Sequence, residues 1–434
     1  MSLAPADAYE DLRHQALEAI RIRSIDLREL SEVRTLIQKL VNQYQADATS
    51  GGSRRPLSDP SGMMNRLTRS LLEYGPLTPF LDGSLAYEEL IIHGSNVMYV
   101  DITGRMLAWP DPVSEEEVTH VVHKLLATVG QAADESRPVV QAQILGGSAR
   151  IGVVLPPIAD VIDVTIRRYL SKRETFKELM EWHAISPAAA SLLTAVMATP
   201  TGVIVTGQPG SGKTTLVNAM LRSAPSTLRV IACEETPEVS VDHLHAARWK
   251  TRQAGPEGAN EVNLRDLVKI SLGMRPDLIV VGEVRGAEAY ELTRAGNAGA
   301  GMISTIHANN ARQGLQALVS TAVMAGPNVA ADQIRSVFSS IIDLVVHTAK
   351  EPSAAVEGGG GGRRKIMEIV AVPSMQTDDY DFTTEPIFHR ESFDHELVWT
   401  GAPLPLDLEQ RIDRVLRPTG QTLNGVLAGT DRLL

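Results

Sequence analysis

Gly207, Gln208, Pro209, Gly210, Ser211, Gly212, Lys213 and Thr214 run in the spacing G-x-x-x-x-G-K-T. Glycines at this spacing let the backbone curl until successive N–H groups point at phosphate oxygens. A lysine next to the last glycine brings positive charge to the outer phosphates. The threonine hydroxyl that follows is a ligand for Mg²⁺, and Thr215 completes the set. Three acids, Glu234, Glu235 and Glu238, crowd the end of an apolar run from Ile231. One carboxylate there could orient or deprotonate the water that attacks a γ-phosphate, or the three could simply solvate a loop. Glu283 ends a second apolar run, Leu278 to Val281, where an acid would stand beside Mg²⁺ and the attacking water. Gly282 occupies the place where many phosphate-loop enzymes carry a metal-holding aspartate, which leaves Glu283 to act through water or as base. His307 closes a third such run and could sense the γ-phosphate. Arg150, Arg167, Arg248, Arg252 and Arg285 are suited to bidentate phosphate contact or to a finger offered to another subunit. Most surface arginines do neither.

These residues need elements to hold them. Gly202–Thr206 is β-branched and apolar, and Thr215–Arg222 follows as a helical pattern, giving strand, glycine loop and helix in the order this chemistry requires. The helix adds the positive end of its dipole to the anion site. Strand-like segments at 202–206, 228–233, 278–282, 302–306 and 341–347 alternate with helical stretches. That alternation predicts an α/β domain with a parallel sheet covered on both faces. Ligands of such sheets bind at the carboxyl ends of the strands, where the glycine loop falls.

Upstream, residues 7–46 are rich in helix formers, and Leu27, Leu30, Val33, Ile37, Leu40, Val41 and Tyr44 form one apolar face. Residues 46–56 read as a linker. Residues 60–172 read as a smaller α+β domain, with a helix over 65–74, strands at 87–93, 97–100, 149–155 and 161–168, and a helix over 114–129 opened by a Ser114/Glu117 capping box. The resulting division is a helical extension and linker at 1–59, the α+β domain at 60–172, a linker at 173–185 and the ATPase-type domain at 186–434. A glycine-rich loop is expected near 354–364, and an amphipathic helix at 406–416.

Composition narrows the function. Over 434 residues the net charge is −11 and only 4% of residues are aromatic, which argues against nucleic acid as a partner. Cys233 is the single cysteine, so no intrachain disulfide and no cysteine-built zinc site can form. Residues 1–10 lack the pattern of a signal peptide, and no apolar run reaches the roughly 18–20 residues of a transmembrane helix. Membrane work would have to go through partners.

The runs Glu234-Glu-Thr-Pro-Glu238, Leu264–Asp277, Val281-Gly-Glu-Val-Arg-Gly286 and Ser304-Thr-Ile-His-Ala-Asn309 together resemble the secretion ATPases of the type II/type IV superfamily. The similarity is greatest to the branch that powers tight-adherence (Flp-type) pili, with conjugation and type IV secretion traffic ATPases next. It extends to Leu72–Leu77, Leu155-Pro-Pro, Thr165–Arg168, Ile342–His347 and Met367–Val370, roughly residues 60 to 415 in all. The resemblance implies a hexameric ring at the cytoplasmic face of the inner membrane, working with membrane platform proteins. It implies a RecA-like ATPase domain joined to an N-terminal domain, with ATP and Mg²⁺ in the cleft and closure on ATP doing mechanical work. On it, Glu234 and Glu235 match the Asp box, Glu283 the Walker B acid and His307 the His box. Arg248 and Arg252 match arginines after the Asp box, and Arg150 and Arg167 match N-terminal-domain arginines that reach nucleotide. One departure stands out. Asn297–Met302 lacks the histidine that this family usually carries ahead of its His box; its role stays open, and with Lys213, Thr214, Glu283 and His307 intact hydrolysis is expected to survive. A nucleic-acid motor and a nucleotide switch that scarcely turns over are the competing expectations.

Overall fold

The computed structural model describes residues 5–25, 29–50, 55–169, 174–252, 260–352, 362–374 and 381–433. Two compact units emerge, residues 1–170 and 171–434. Among the described residues no helix is long and apolar enough to cross a membrane.

The first unit begins with helices α1 (Pro5–Arg23), α2 (Leu30–Thr49) and α3 (Pro60–Leu72). Val33, Ile37, Val41 and Tyr44 of α2 are buried with Leu12 of α1 and Leu67 and Leu71 of α3. The apolar face expected around 27–44 is thus covered by its own neighbours; Leu27 lies outside the described residues and Leu30 is exposed. α2 continues through Thr49, into the stretch expected to be linker, and residues 51–54 are not described. α3 starts five residues before the expected helix, because Asp59 accepts a hydrogen bond from the Gly62 N–H at 2.8 Å and Pro60 sits at the first helical position.

A short helix α4 (Thr78–Leu81) leads into strands β1 (Tyr87–His93), β2 (Asn96–Asp101) and β3 (Met106–Ala108), then α5 (Glu115–Ala127) and strands β4 (Val139–Ile144), β5 (Ala149–Val154) and β6 (Asp163–Arg168). The six strands form an antiparallel sheet in the order β3-β2-β1-β6-β5-β4. Alternate residues such as Leu90, Ile92, Ile151, Val153, Val164 and Ile166 face a core closed by Val118, Val122 and Leu126 of α5. The Ser114/Glu117 capping box is present. Glu117 also accepts from the buried Tyr9 hydroxyl, which ties α1 to α5. Burial and the facing carboxylate push the Tyr9 phenol above its ordinary value.

The second unit contains α6 (Phe176–Glu181), α7 (Pro187–Met197), β7 (Gly202–Thr206), α8 (Lys213–Ser223), β8 (Arg229–Glu234), β9 (His245–Lys250), α9 (Leu264–Ser271), β10 (Leu278–Val281), α10 (Glu288–Asn297), β11 (Gly301–Ile306), α11 (Ala311–Val323), α12 (Ala331–Ile341), β12 (Leu344–Lys350), β13 (Arg364–Ala371), β14 (Glu385–His389), β15 (Val398–Trp399), α13 (Leu406–Leu416) and α14 (Leu423–Ala428). The sheet order is β15-β14-β13-β12-β7-β11-β10-β8-β9. β12 through β9 are parallel, and β13–β15 extend one edge antiparallel. This is a RecA-like α/β domain.

All five residues of β7 are buried, because both faces of the sheet are covered. Val203 and Val205 enter the core beneath α7, α8 and α13, while Ile204 enters the one beneath α9–α12. The expected strands are present, with β8, β11 and β12 shifted by one to three residues. β9 is additional. Its sequence, His-Ala-Ala-Arg-Trp-Lys, carries no apolar run because it is an exposed edge strand. Residues 354–361 of the expected glycine-rich loop lie outside the described residues; the strands on either side pair as a hairpin, with Lys350 opposite Arg364.

At the amino edge of β7 the Arg411 guanidinium of α13 pairs with Asp343 and donates to Pro200 O at 2.8 Å. Asp343 also accepts the Gly202 N–H at 2.9 Å. Burial holds the Asp343 carboxyl above its ordinary value even beside Arg411. Arg411→Ala would strand that buried carboxylate, so the expected loss of stability is about 3 kcal/mol in urea unfolding. A loss below about 0.5 kcal/mol, the size of an ordinary surface change, contradicts this account of the sheet's edge.

Candidate active site

The glycine loop follows β7 at the carboxyl edge of the parallel sheet and ends where α8 begins. Gly212 caps that helix in the left-handed region at φ 97°, and Gly210 has φ 72°, conformations that favour glycine. A Cβ on Gly207 would overlap Thr348 O and the Ser211 hydroxyl, so that glycine is needed for close approach. Ser211 is buried and its hydroxyl hydrogen-bonds Thr348 Oγ1 at 2.9 Å, which fixes the loop against β12. The loop therefore offers backbone N–H groups and a helix amino terminus to an anion.

Lys213 is 8% exposed. Its ammonium donates to Gly207 O at 3.0 Å and Gln208 O at 3.1 Å, and lies 3.1 Å from His307 Nδ1. His307 Nε2 meets Glu283 Oε1, and Glu283 Oε2 accepts from Arg285 Nη2 at 2.6 Å. Burial first, then the Lys213 charge, lowers the His307 pKa below the usual imidazole value. A neutral ring with its hydrogen on Nε2 accepts from lysine at Nδ1 and turns its N–H side toward the glutamate. The result is one polar chain, Lys213–His307–Glu283–Arg285. Gln208 reinforces it by donating to Asn309 Oδ1 at 3.0 Å. Thr305 Oγ1 donates to Gly282 O at 2.6 Å, and the Val284 N–H donates to Thr305 O at 2.8 Å, which pins the Glu283 segment to β11.

On the other side of α8's first turn, the Thr214 hydroxyl donates to Glu238 Oε2 at 3.1 Å. Glu234 is 2% exposed, and its Oε1 accepts the N–H groups of Glu238 and Val239, both at 2.9 Å. Burial outweighs these bonds and pushes the Glu234 carboxyl up to about 7. Glu235 is exposed. The oxygens of Thr214 and Glu238 are the hard ligands Mg²⁺ takes, and they sit beside the phosphate cradle, so the chain's residues fit that ion. Glu238 was visible only as one acid of a cluster; its pairing with Thr214 is a tertiary fact.

Gly282 now has a physical reason. A Cβ there would lie 2.9 Å from Glu234 Cγ, so glycine is what admits the buried glutamate. The stretch at 297–302 also takes on a definite place. Only Ala298, Gly299 and Ala300 separate α10 from β11, at the amino edge of the sheet. The site lies at the other end of β11, roughly 16 Å along the strand. A histidine missing there removes nothing from the Lys213 cluster.

The arginines divide. Arg285 belongs to the chain just described. Arg248 is exposed on β9, and its charge is felt by Glu234. Arg252 donates to Asn260 O at 2.6 Å, within the segment joining β9 to α9. In the first unit Arg150 and Arg167 stand directly opposite each other on β5 and β6, and Arg150 also donates to Gln141. Two like charges facing across a ladder repel, which concentrates positive charge on that sheet face.

The sequence profile of the family described as "Type II/IV secretion system protein" matches residues 137–380. A putative conjugal transfer protein of Mycobacterium tuberculosis is 31% identical over 313 residues, covering 70% of this chain and 86% of its own. The type IV secretion system protein VirB11 of Bartonella quintana is 26% identical, covering 70% and 94%. The solved VirB11 ATPase of Brucella suis aligns over 69% of this chain and 96% of its own, at 25% identity and a TM-score of 0.36. The chain belongs to the type II/IV secretion system protein family. It is an ATPase of that family.

Two outcomes follow from the Glu234–Gly282 packing. Gly282→Ala forces the Glu234 side chain to move and is expected to destabilise the domain by about 1–3 kcal/mol in urea unfolding; unchanged stability contradicts the packing. Glu234 is protonated more readily when folded than when unfolded, so its contribution falls as pH rises from about 4.5 to about 7 and is flat above. Glu234→Gln should remove that fall, so the variant gains on the wild type across this window; a pH-independent difference contradicts the buried acid.

Proposed function

We propose that this chain is a Mg²⁺-dependent ATP-hydrolysing motor of a secretion or pilus-assembly machine, acting as a homo-hexamer at the cytoplasmic face of an inner membrane through platform proteins. The single observation that supports it best is the polar chain from Lys213 through His307 to Glu283 and Arg285, set against the glycine loop. With nucleotide bound, the Lys213 ammonium exchanges Gly207 O and Gln208 O for phosphate oxygens. Mg²⁺, when bound, neutralises charge between the outer phosphates, and Thr214 and Glu238 would hold it. Lys213's departure opens His307 Nδ1, and a proton taken up there would let the ring donate to the γ-phosphate and so report whether that phosphate is present. Glu283 and Glu234 are the two carboxylates able to position or deprotonate water. Glu234, raised to about 7, has the basicity of a general base, whereas Glu283 has the more open position. Arg150, Arg167, Arg248 and Arg252 are proposed to reach nucleotide as domains close on ATP, with Arg285 supporting Glu283.

The tight-adherence pilus branch is the finer reading, on the strength of the boxes at 234–238, 281–286 and 304–309. The conjugal transfer names of relatives, the Mycobacterium tuberculosis protein and TrbB of Rhizobium radiobacter at 26% identity among them, favour DNA or protein transfer as the second.

Phosphate release by the full chain should require Mg²⁺, cease on chelation and fall at least about 100-fold in Lys213→Ala. An undiminished rate in Lys213→Ala contradicts the proposal.

A further inference from the structure

We propose that Arg364, at the start of β13, is a nucleotide-binding residue that contacts the inner end of the bound nucleotide, its α-phosphate and ribose. The inference rests on the ATPase reading above and adds a residue to that site.

The topology separates the two ends of the nucleotide. β7, which leads into the glycine loop, has β11 on one side and β12 on the other. His307 follows β11, and Glu283 follows β10 beyond it. The groups suited to the outer phosphate therefore lie on the β11 side, and the rest of the nucleotide must leave the cradle elsewhere. The β12 side is built against the loop. Register places His347 of β12 opposite Thr206, the last residue of β7, so Thr348, Ala349 and Lys350 run on alongside the glycine loop. Thr348 donates to Thr206 O at 3.1 Å and bonds Ser211 at 2.9 Å.

Arg364 pairs with Lys350 across the hairpin. Its Cβ lies 3.9 Å from the position a Cβ on Gly212 would take. Gly212 immediately precedes the first turn of α8, whose N–H groups, from Lys213, Thr214 and Thr215, face the inner phosphates in a loop of this type. Arg364 is thus rooted beside the amino end of α8, within an arginine's reach of an anion bound there.

Its sequence neighbours are held away from the amino end of α8 by other contacts. Arg363 forms a bidentate pair with Glu351 at 2.7 and 2.8 Å and also bonds Asp394 at 2.8 Å. Lys365 is buried. Arg363 and Arg364 are both exposed, and Arg364 is the one rooted beside Gly212. A planar guanidinium can hold a phosphate through two N–H groups while its flat face lies against a sugar or base. Lys350, across the pair, adds a second positive charge to the same side of the loop. The sequence gives no hint of this, because Arg364 follows a glycine run and belongs to no phosphate motif.

The test titrates ADP and inorganic pyrophosphate into the full chain by calorimetry, for wild type, Arg364→Ala and Arg364→Lys, with steady-state ATPase alongside. Pyrophosphate occupies the cradle without ribose or base. Arg364→Ala should weaken ADP about tenfold and raise the KM for ATP similarly. Pyrophosphate affinity and the melting temperature without ligand should stay within about twofold and a degree of wild type, and Arg364→Lys should recover part of the ADP affinity. Equal ADP affinity in wild type and Arg364→Ala overturns the inference. An equal loss of ADP and pyrophosphate also overturns it, because the substitution has then damaged the loop as a whole. A wild type that binds neither ligand overturns the ATPase reading instead.

Discussion

The site depends on one buried cation. The Lys213 ammonium is almost fully enclosed, and carbonyl oxygens of its own loop and an imidazole satisfy it. Burying a charge is costly unless hydrogen bonds replace its water. The loop must therefore curl until Gly207 O and Gln208 O face inward, and that curl is also what turns the N–H groups outward to an anion. The same requirement draws His307 to the lysine, and through His307 it draws Glu283 and Arg285. The three strands β7, β11 and β10 must then be neighbours and parallel, with their carboxyl ends together, as they are.

A second constraint is steric. Glu234 ends β8, next to β10, and its side chain fills the space a Cβ at position 282 would take. Two carboxylates consequently share the end of the sheet in different surroundings. Glu283 is tied to a cation and an imidazole. Glu234 is buried against glycine with only backbone donors, which is why its affinity for protons rises. A carboxylate raised in this way can give and take a proton near neutral pH.

Much of the site was legible from local patterns. The glycine spacing, the acids closing apolar runs and the histidine after Thr305 are short-range features, and the strands carrying them are buried on both faces and so read as continuous apolar segments. What was not legible is what depends on tertiary contact or on edges. β9 is an exposed edge strand with no apolar run. The start of α3 is set by the Asp59 cap rather than by periodicity. The Thr214–Glu238 bond and the proximity of Arg364 to Gly212 join residues far apart in the chain. Gly282 looked like a departure from a motif because the reason for it, Glu234, lies on another strand. The turn that lacks the family's usual histidine, at 297–302, has its place at the far end of β11, which local pattern could not show.

The most direct measurement of the central claim is steady-state ATP hydrolysis by the full chain beside Glu283→Gln, with nucleotide binding measured on both. The account predicts Mg²⁺-dependent turnover by the wild type, a fall in kcat of at least about 100-fold in Glu283→Gln, and retained ADP binding in the variant. Turnover by Glu283→Gln at the wild-type rate contradicts it, as does a wild type that binds ATP and leaves it intact.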